Sequence, residues 1–312
     1  MARSTSLERG LPDVKAIATL AERTRPKLPR PTAREIAAER RRYIEDERLL
    51  RKAFDKFVDV AALERLARKR EKSDAKRAEA AHRRAIAASR QYARWVASQS
   101  VSTTAVAPID GDRQVIVDTA AWMRAWPNTG ALKDYDTSAG NNWGKYWLDV
   151  EGDILEPPDE ARLSFYALWQ NPADVDVTVR VATRLNVSAH IHADADARYL
   201  SGLPGASADA TLRARLTVFP LWLQNNQLTV AEDFVGSVSA HGGFFGDDDD
   251  ATIFSSAFLD GTLSLSVPGN RFLMFETSLV TGWKIDSGSI RVDAQQGAFR
   301  IDVPYWIVTM VT

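Results

Sequence analysis

The chain has 312 residues, 45% hydrophobic and 26% charged, a composition typical of a globular protein with one large domain plus an extension, or with two domains. Its net charge of −1 conceals an asymmetry, because residues 1–100 carry 26 Lys and Arg against 14 Asp and Glu, whereas the remainder carries 14 against 27. The absence of cysteine excludes disulfides, thiolate metal ligands and a cysteine nucleophile.

Residues 1–31 form a proline-containing N-terminal segment. Prolines at 26, 29 and 31 exclude helix interior there and favour an extended linker. The segment lacks the apolar core of a signal peptide, so we expect the chain to be made without one, and to be cytoplasmic or part of a released assembly. No stretch approaches about 18 apolar residues, so no transmembrane segment is expected.

Residues 32–98 are predicted to form a basic helical arm, because they contain no Gly or Pro and begin with a capping box from Thr32 to Glu35. Small or apolar side chains recur at heptad-like intervals in two seams, which predict a coiled coil with copies of the chain, a helical hairpin, or docking on another surface. The oligomer seam is assigned to Ile36, Tyr43, Leu50, Phe57, Tyr92 and Val96, and the second seam also includes Ala75, Ala78, His82, Ala85 and Ser89.

Residues 99–104 are a polar hinge, and residues 105–312 are predicted to form an acidic all-β head in which the hydrophobic period becomes two. The clearest strand signal is 174–199, where the odd positions are apolar or small and the even positions are mostly polar. Because this run exceeds an ordinary strand, we expect a bend between two sheets, or a bulge near Ala182 or Ala189.

Further strands are expected at 211–223, 227–241 (as two short strands), 262–267, 272–281, 288–294, 298–303 and 305–311, with 288–294 and 298–303 forming a hairpin. The predicted fold is therefore α+β in segregated parts. An N-terminal extended helical arm precedes an all-β sandwich of the jelly-roll kind.

An acidic run follows a glycine-rich stretch and consists of Asp247, Asp248, Asp249 and Asp250. Carboxylates on a loop suit Ca²⁺, so this run is a hypothetical calcium site, and no other cofactor is expected. The alternative is a solvated surface loop without metal.

Two histidines, His190 and His192, share one face of the predicted strand at 174–199. A pair on one face favours either a divalent metal or a pH-sensitive patch, and the alternative is a polar, solvent-facing strand. His82 lies on the helical seam, where a structural role is expected.

Six aromatic residues crowd the start of the head: Trp122, Trp126, Trp143, Tyr146, Trp147 and Trp169. The favoured interpretation is that the tryptophans fill the sandwich core or a subunit interface. The alternative is a polar loop with an aromatic tip that binds a sugar or a peptide through Asn141, Asn142, Trp143 and Trp147.

The chain lacks the motifs of serine hydrolases, zinc proteases, nucleotide-binding loops and dinucleotide folds, so no enzymatic activity is expected. Basic clusters at 40–42, 68–70 and 83–84 make nucleic acid a candidate partner. The acidic residues between them favour the flank of a coiled coil instead.

We therefore expect a non-enzymatic structural, assembly or attachment protein. Its arm oligomerises or docks, and its head forms a shell, a fibre or a surface that recognises a glycan or a protein. The first alternative is a carbohydrate-binding module assisted by Ca²⁺. A pore-forming protein is the second, because alternating strands also build membrane barrels.

Overall fold

The computed structural model describes residues 59–98, 113–127, 132–138, 142–152, 159–196, 206–223, 228–242, 246–261 and 264–311, with eight isolated positions between 34 and 52. The continuous segments contain one helix, α1 (Val60–Ser98), followed by strands. The strands are β1 (Arg113–Val117), β2 (Trp122–Pro127), β3 (Leu132–Ser138), β4 (Trp143–Gly152), β5 (Asp159–Gln170), β6 (Val177–Ala195), β7 (Ala206–Pro220), β8 (Leu228–Gly242), β9 (Asp247–Asp260), β10 (Leu265–Val267), β11 (Phe272–Asp286), β12 (Gly288–Asp293), β13 (Arg300–Asp302) and β14 (Trp306–Val311).

The strands form two antiparallel sheets, which confirms the predicted β-sandwich. The small sheet has the order β2-β5-β11-β7-β8. In the large sheet of nine described strands, the order is β1-β14-β6-β12-β4-β13, with β3 on β4 and both β9 and β10 on β6. Buried apolar side chains from both sheets form one core between them. The jelly-roll connectivity stays a prediction, as does independent folding of residues 105–312.

Strand β6 is the spine of the large sheet and is continuous over its 19 residues. One of its edges pairs with β10 and β9, and the other pairs in succession with β14, β13 and β12. Because five strands satisfy its backbone groups, the strand exceeds the usual length without changing sheets. The expected bend or bulge near Ala182 or Ala189 is therefore wrong.

The predicted side-chain alternation of this strand is confirmed. Odd-numbered residues such as Val179, Leu185 and Ile191 are completely buried in the core between the sheets. Thr178 and Arg180 lie on the other face, where Thr178 is half-buried and Arg180 is exposed. The hydrophobic pattern alone therefore sets the register, because a slip of one residue would exchange the two faces.

Two local strand predictions are wrong. The region expected to form two short strands is the single strand β8, whose pairing with β7 shifts register at two points. Bulges of this kind add a residue to one strand without ending it. The alternation of apolar and polar residues then changes phase, so the sequence suggests two strands. Strands β12 and β13 do not form a hairpin, because they lie one after the other between β4 and β6.

Helix α1 packs on the outer face of the large sheet, over β6 and β9. Its docked side consists of residues of the second predicted seam. Ala85 and Ser89 are buried there, and the Tyr92 hydroxyl donates a hydrogen bond of 2.9 Å to the backbone oxygen of Ser255. The Tyr92 ring also packs against Phe254, with 4.9 Å between the ring centroids.

The turn after β12 approaches the helix closely. Gly297 has a φ of 62°, and a Cβ at this position would lie 2.8 Å from Cγ2 of Ile86. The neighbouring Ala298 N–H donates a hydrogen bond of 3.3 Å to the Ser89 hydroxyl. A glycine is therefore needed here both for its backbone conformation and for the close approach.

These contacts correct the assignment of Tyr92 to an oligomer seam. The small and polar residues of the second seam pack on the polar outer face of the chain's own sheet. Of the three predicted arrangements (coiled coil, helical hairpin or docking), the structure shows docking for α1. Val96 lies in α1, whereas Ile36, Tyr43, Leu50, Phe57 and the hinge at 99–104 lie outside the described residues. Homo-oligomer formation stays a prediction. Over the part of the chain that is described, no helix is both long and apolar enough to cross a membrane.

Candidate functional site

The outer face of the small sheet carries an unusual set of polar and aromatic side chains. In β5, Leu163 and Phe165 point into the core, so their neighbours along the strand point away from it. The same alternation in β2 and β11 places further side chains on this face. We define the outer-face cluster as Trp122, Arg124 and Trp126 of β2, Arg162, Ser164 and Tyr166 of β5, and Glu276 and Ser278 of β11.

Glu276 is the centre of the cluster, with only 2% of its surface exposed. Its Oε1 accepts hydrogen bonds from the Ser164 hydroxyl at 2.6 Å and the Tyr166 hydroxyl at 3.1 Å. The Nε atom of Arg162 lies 3.5 Å from the same oxygen. A buried carboxylate needs partners of this kind, because an unpaired buried charge is strongly unfavourable.

Tyr166 links the carboxylate to the aromatic residues. Its hydroxyl accepts a hydrogen bond of 2.9 Å from the indole N–H of Trp126 and donates to Glu276. Burial raises the pKa of Tyr166 well above its usual value, and the charge of Glu276 raises it further. The phenol therefore stays protonated and keeps donating to the carboxylate at any physiological pH.

The two tryptophans of the cluster lie beside Tyr166. The ring of Trp122 stacks on that of Tyr166 with 5.0 Å between centroids, and it meets the ring of Trp126 edge-on at 6.0 Å. The Arg124 guanidinium lies over the Trp126 ring at 3.9 Å, and that of Arg162 is 5.8 Å from the same ring. Trp126 is buried, whereas Trp122 and Arg124 are partly exposed and form the surface of the cluster.

Within the described residues, the polar side chains of β11 on this face are incompletely paired. The Ser278 hydroxyl is buried and has no hydrogen-bond partner. Within the described part of the chain, the two hydrogen bonds that Glu276 accepts both end on Oε1, and the ion pair with Nε of Arg162 is to the same oxygen. Buried polar groups are nearly always satisfied in folded proteins, so the Ser278 hydroxyl is an exception on this strand face.

Apolar side chains flank this polar centre. Trp126 and Tyr166 pack with Phe219 and Met274, and the partly buried Leu168 and Leu221 complete the group. Apolar and aromatic walls around a few fixed polar atoms are the usual composition of a small-molecule site. The cluster therefore combines apolar and aromatic walls with a buried carboxylate and a buried hydroxyl.

The predicted sugar-binding loop has a different role at Asn142. This side chain is buried, its Oδ1 accepts a hydrogen bond of 2.6 Å from the Ala120 N–H, and its amide donates to the Asp118 oxygen. Asn142 has a φ of 54°, which asparagine tolerates better than most residues. It therefore closes the turn between β1 and β2 instead of presenting a binding group. Asn141 lies outside the described residues.

The two other residues of that loop, Trp143 and Trp147, lie on β4 in the large sheet. Both are half-buried on its outer face, and the Arg291 guanidinium is 5.7 Å from the ring of Trp147. The structure therefore places them on the opposite side of the sandwich from Trp122 and Trp126. Their part in ligand binding stays a prediction.

The acidic run is in strand β9 and not on a loop, so the expectation of a surface loop is wrong. Asp247, Asp248, Asp249 and Asp250 pair with residues of β6, and successive side chains point to opposite faces. Asp249 accepts a hydrogen bond of 2.9 Å from the Ser239 N–H, while Asp250 binds histidines. In the described segments no three His, Asp or Glu side chains are arranged to hold a metal ion.

The histidines of β6 form a pairing network under α1. Asp250 Oδ1 lies 3.0 Å from Nδ1 of His192 and 3.2 Å from Nε2 of His190. The ring of His82 from α1 stacks on that of His190 at 4.9 Å, and its Nε2 lies 2.6 Å from Oδ2 of Asp293. The His82 prediction of a structural role fits this geometry, because these contacts fix the helix on the sheet.

This network makes stability depend on pH. Burial alone would lower the pKa of His192, but the hydrogen bond and charge of Asp250 outweigh burial and raise it. Burial would likewise raise the pKa of Asp250, yet the hydrogen bonds of His190 and His192 hold it well below its usual value. Because the folded-state pKa of His192 is raised, its contribution is complete below about pH 6.5 and is lost as pH rises through the folded value.

We therefore expect the thermal midpoint of the full chain to fall between about pH 6 and about pH 8, and His192→Asn to reduce that fall. The matched control is His241→Asn, which removes an exposed histidine of β8. Thermal unfolding at several pH values measures the effect. An identical pH dependence in the wild type and in His192→Asn would contradict the pairing.

Most of the outer-face cluster was missed from sequence, although a signal for it exists. Trp122, Arg124 and Trp126 alternate along β2, which places all three on one face. In β11, Glu276 and Ser278 give no comparable signal, because Thr277 between them is also polar. What the sequence does not show is that β2, β5 and β11 are neighbours in one sheet, because that depends on long-range pairing.

Comparisons with known proteins give no identity. No family model and no curated protein matches the chain. Among solved structures, the chain is similar to TmCBM61 in complex with β-1,4-galactotriose, with a TM-score of 0.19, 10% identity and coverage of 61% of this chain and 90% of that one. It is also similar to the mannan-recognising carbohydrate-binding module TmCBM27, with a TM-score of 0.18, 14% identity and coverage of 64% and 99%. Scores this low do not establish a common fold, so function has to be argued from the cluster itself.

Proposed function

We propose that this chain is a non-enzymatic glycan-binding β-sandwich whose site is the outer-face cluster of the small sheet. The observation that carries the proposal is the Ser278 hydroxyl, unsatisfied within the described residues, beside a carboxylate, Glu276, whose two hydrogen bonds both end on one oxygen. A sugar hydroxyl can donate to Oε2 of Glu276, and a second hydroxyl can pair with Ser278. The partly exposed ring of Trp122 supplies an apolar face for the sugar ring.

The charges favour binding over hydrolysis. Glycosidases use two carboxyl groups, one of which has a raised pKa and donates a proton. On β8, at the edge of the same sheet, Glu232 is bound by Arg213 at 2.9 Å and by Arg215 at 2.8 Å. Burial would raise the pKa of Glu232, but the hydrogen bonds of both arginines outweigh it and lower the pKa. Glu232 is therefore an ionised, paired carboxylate and a poor proton donor.

The test is a glycan array with the purified full chain, followed by calorimetry with the best neutral ligand. We expect Trp122→Ala and Ser278→Ala each to weaken binding by about tenfold, since an aromatic contact or a lost hydrogen bond is worth about 1 kcal/mol or more. Trp147→Ala, on the other side of the sandwich, is the matched control and should bind normally. Absence of binding to any neutral glycan, or equal losses in Trp122→Ala and Trp147→Ala, would refute the proposal.

Calcium assistance is tested in the same experiment. The described acidic residues of β9 pair with histidines and backbone amides and lie away from the outer-face cluster. We therefore expect affinity to be unchanged by a chelator. The assembly and pore-forming functions stay predictions, and the docking of α1 on its own sheet removes one of the reasons for the first.

A further inference from the structure

Seven basic side chains lie in one line along the solvent side of α1. At about 100° per residue, their positions fall within a sector of about 60°, and they extend about 43 Å along the axis. All seven are exposed. We call this line the basic stripe, and it consists of Arg65, Lys69, Lys72, Lys76, Arg83, Arg90 and Arg94.

The stripe is opposite the docked side of the helix. Ala85 and Ser89, which are buried against the sheet, are centred about 145° away from the stripe together with Ala78, His82 and Tyr92. The acidic head therefore binds the small and polar side of α1 and leaves the basic side in solvent. Docking on the sheet keeps the basic residues together on one exposed surface. In a coiled coil, the partner helix would divide the exposed surface of α1 in a different way.

Little of this charge is neutralised within the helix. Asp74 pairs with Arg70 and Arg77, neither of which belongs to the stripe. Glu79 pairs with Arg83 at 3.1 Å, and both of these side chains are well exposed. The other six stripe residues form no ion pair within the part of the chain that the structure describes.

We propose that the basic stripe binds the phosphate backbone of duplex nucleic acid without reading its sequence. Duplex DNA carries one charge per about 1.7 Å, so a straight row of cations meets phosphates along its whole length. The stripe contains no amide or aromatic side chain, and phosphate contacts alone carry no sequence information. A membrane surface fits less well, because the side of α1 that would have to insert is docked on the sheet.

A second copy of the chain is a weaker match for the stripe. The acidic residues of the head are spread over two sheets, and several of them, such as Asp250, Glu276 and Asp293, are already paired inside the fold. Their negative charge is therefore less dense and less linear than that of a duplex. This site is independent of the outer-face cluster, so each proposal can fail alone.

The experiment measures binding of the full chain to two duplexes of about 24 base pairs and unrelated sequence, by fluorescence anisotropy across a series of salt concentrations. The test variant is Lys69→Gln/Lys72→Gln/Lys76→Gln. We expect it to bind at least about tenfold more weakly and to reduce the slope of log affinity against log salt by about 3, because each lost phosphate contact removes about 0.9. Both duplexes should bind equally well. Circular dichroism checks that the helix is retained.

The matched control removes the same charge from the sheets. Arg113→Gln/Arg271→Gln/Lys284→Gln changes three exposed residues and should leave both affinity and slope unchanged. Equal losses in the two triple variants, an unchanged slope in the helix variant, or no duplex binding at low salt would overturn the proposal. Tighter binding to a sulfated polysaccharide than to the duplex would also overturn it and would assign the stripe to glycans.

Discussion

Replacing Val179 by Asp is expected to destabilise the protein by at least about 3 kcal/mol. Val179 is completely buried between the sheets, and its neighbours across the strands are Leu265 and Met310. No cation in this apolar core can pair with a carboxylate, so the substitution either buries an unpaired charge or opens the sandwich. Chemical denaturation of the full chain measures the change in the free energy of unfolding.

The control for this substitution is one residue away. Thr178 is half-buried on the other face of β6, and Thr178→Asp should cost about 0.5 kcal/mol or less. Equal effects of the two substitutions would mean that the faces of β6 are exchanged. The comparison therefore tests the register on which the assignment of every outer-face residue in the large sheet depends.

Replacing Ala85 by Glu is expected to release α1 from the large sheet, at a cost of about 2 to 4 kcal/mol. Ala85 is 4% exposed, within the side of the helix that packs on β6 and β9. A glutamate side chain has neither the room nor a partner there. We therefore expect α1 to undock, and its contacts with the sheet to be lost. Denaturation measures the stability, and trypsin cleavage at Arg90 and Arg94 should become much faster.

Ala87→Glu is the matched control, because Ala87 is exposed on the same helix and the change in helix propensity is the same. It should leave the stability and the cleavage rate within error of the wild type. If Ala85→Glu instead lowered the mass of an oligomer without changing the stability or cleavage of the chain, the seam would pair copies of the protein and the docking would be wrong.

The sequence predicted what depends on local patterns. The alternation in 174–199 correctly assigned the buried face of β6. The seam through Ala85 and Tyr92 correctly identified the side of α1 that packs against something. These patterns are informative because each face of a helix or strand meets one environment along its whole length.

The partners of those faces could not be predicted, because they depend on pairing between distant parts of the chain. Seam residues look alike whether they meet a second helix or a sheet, and only the fold brings Asp293 under His82. In the sequence, Glu276 is a charged residue in a strand that is otherwise buried. Only the pairing of β11 with β5 shows that Ser164 and Tyr166 donate hydrogen bonds to it. The acidic run read as a loop, since aspartate is rare in strands, yet the histidines of β6 hold it in β9.

The central claim, that the outer-face cluster binds glycans, is tested most directly by following the tryptophan indole N–H signals in NMR spectra while the best array ligand is added. If the outer-face cluster binds the ligand, the signals of Trp122 and Trp126 shift, while those of Trp283 and Trp306, which are buried in the core, stay in place. Shifts confined to Trp143 and Trp147 would contradict the account, because they would move the binding site to the outer face of the large sheet.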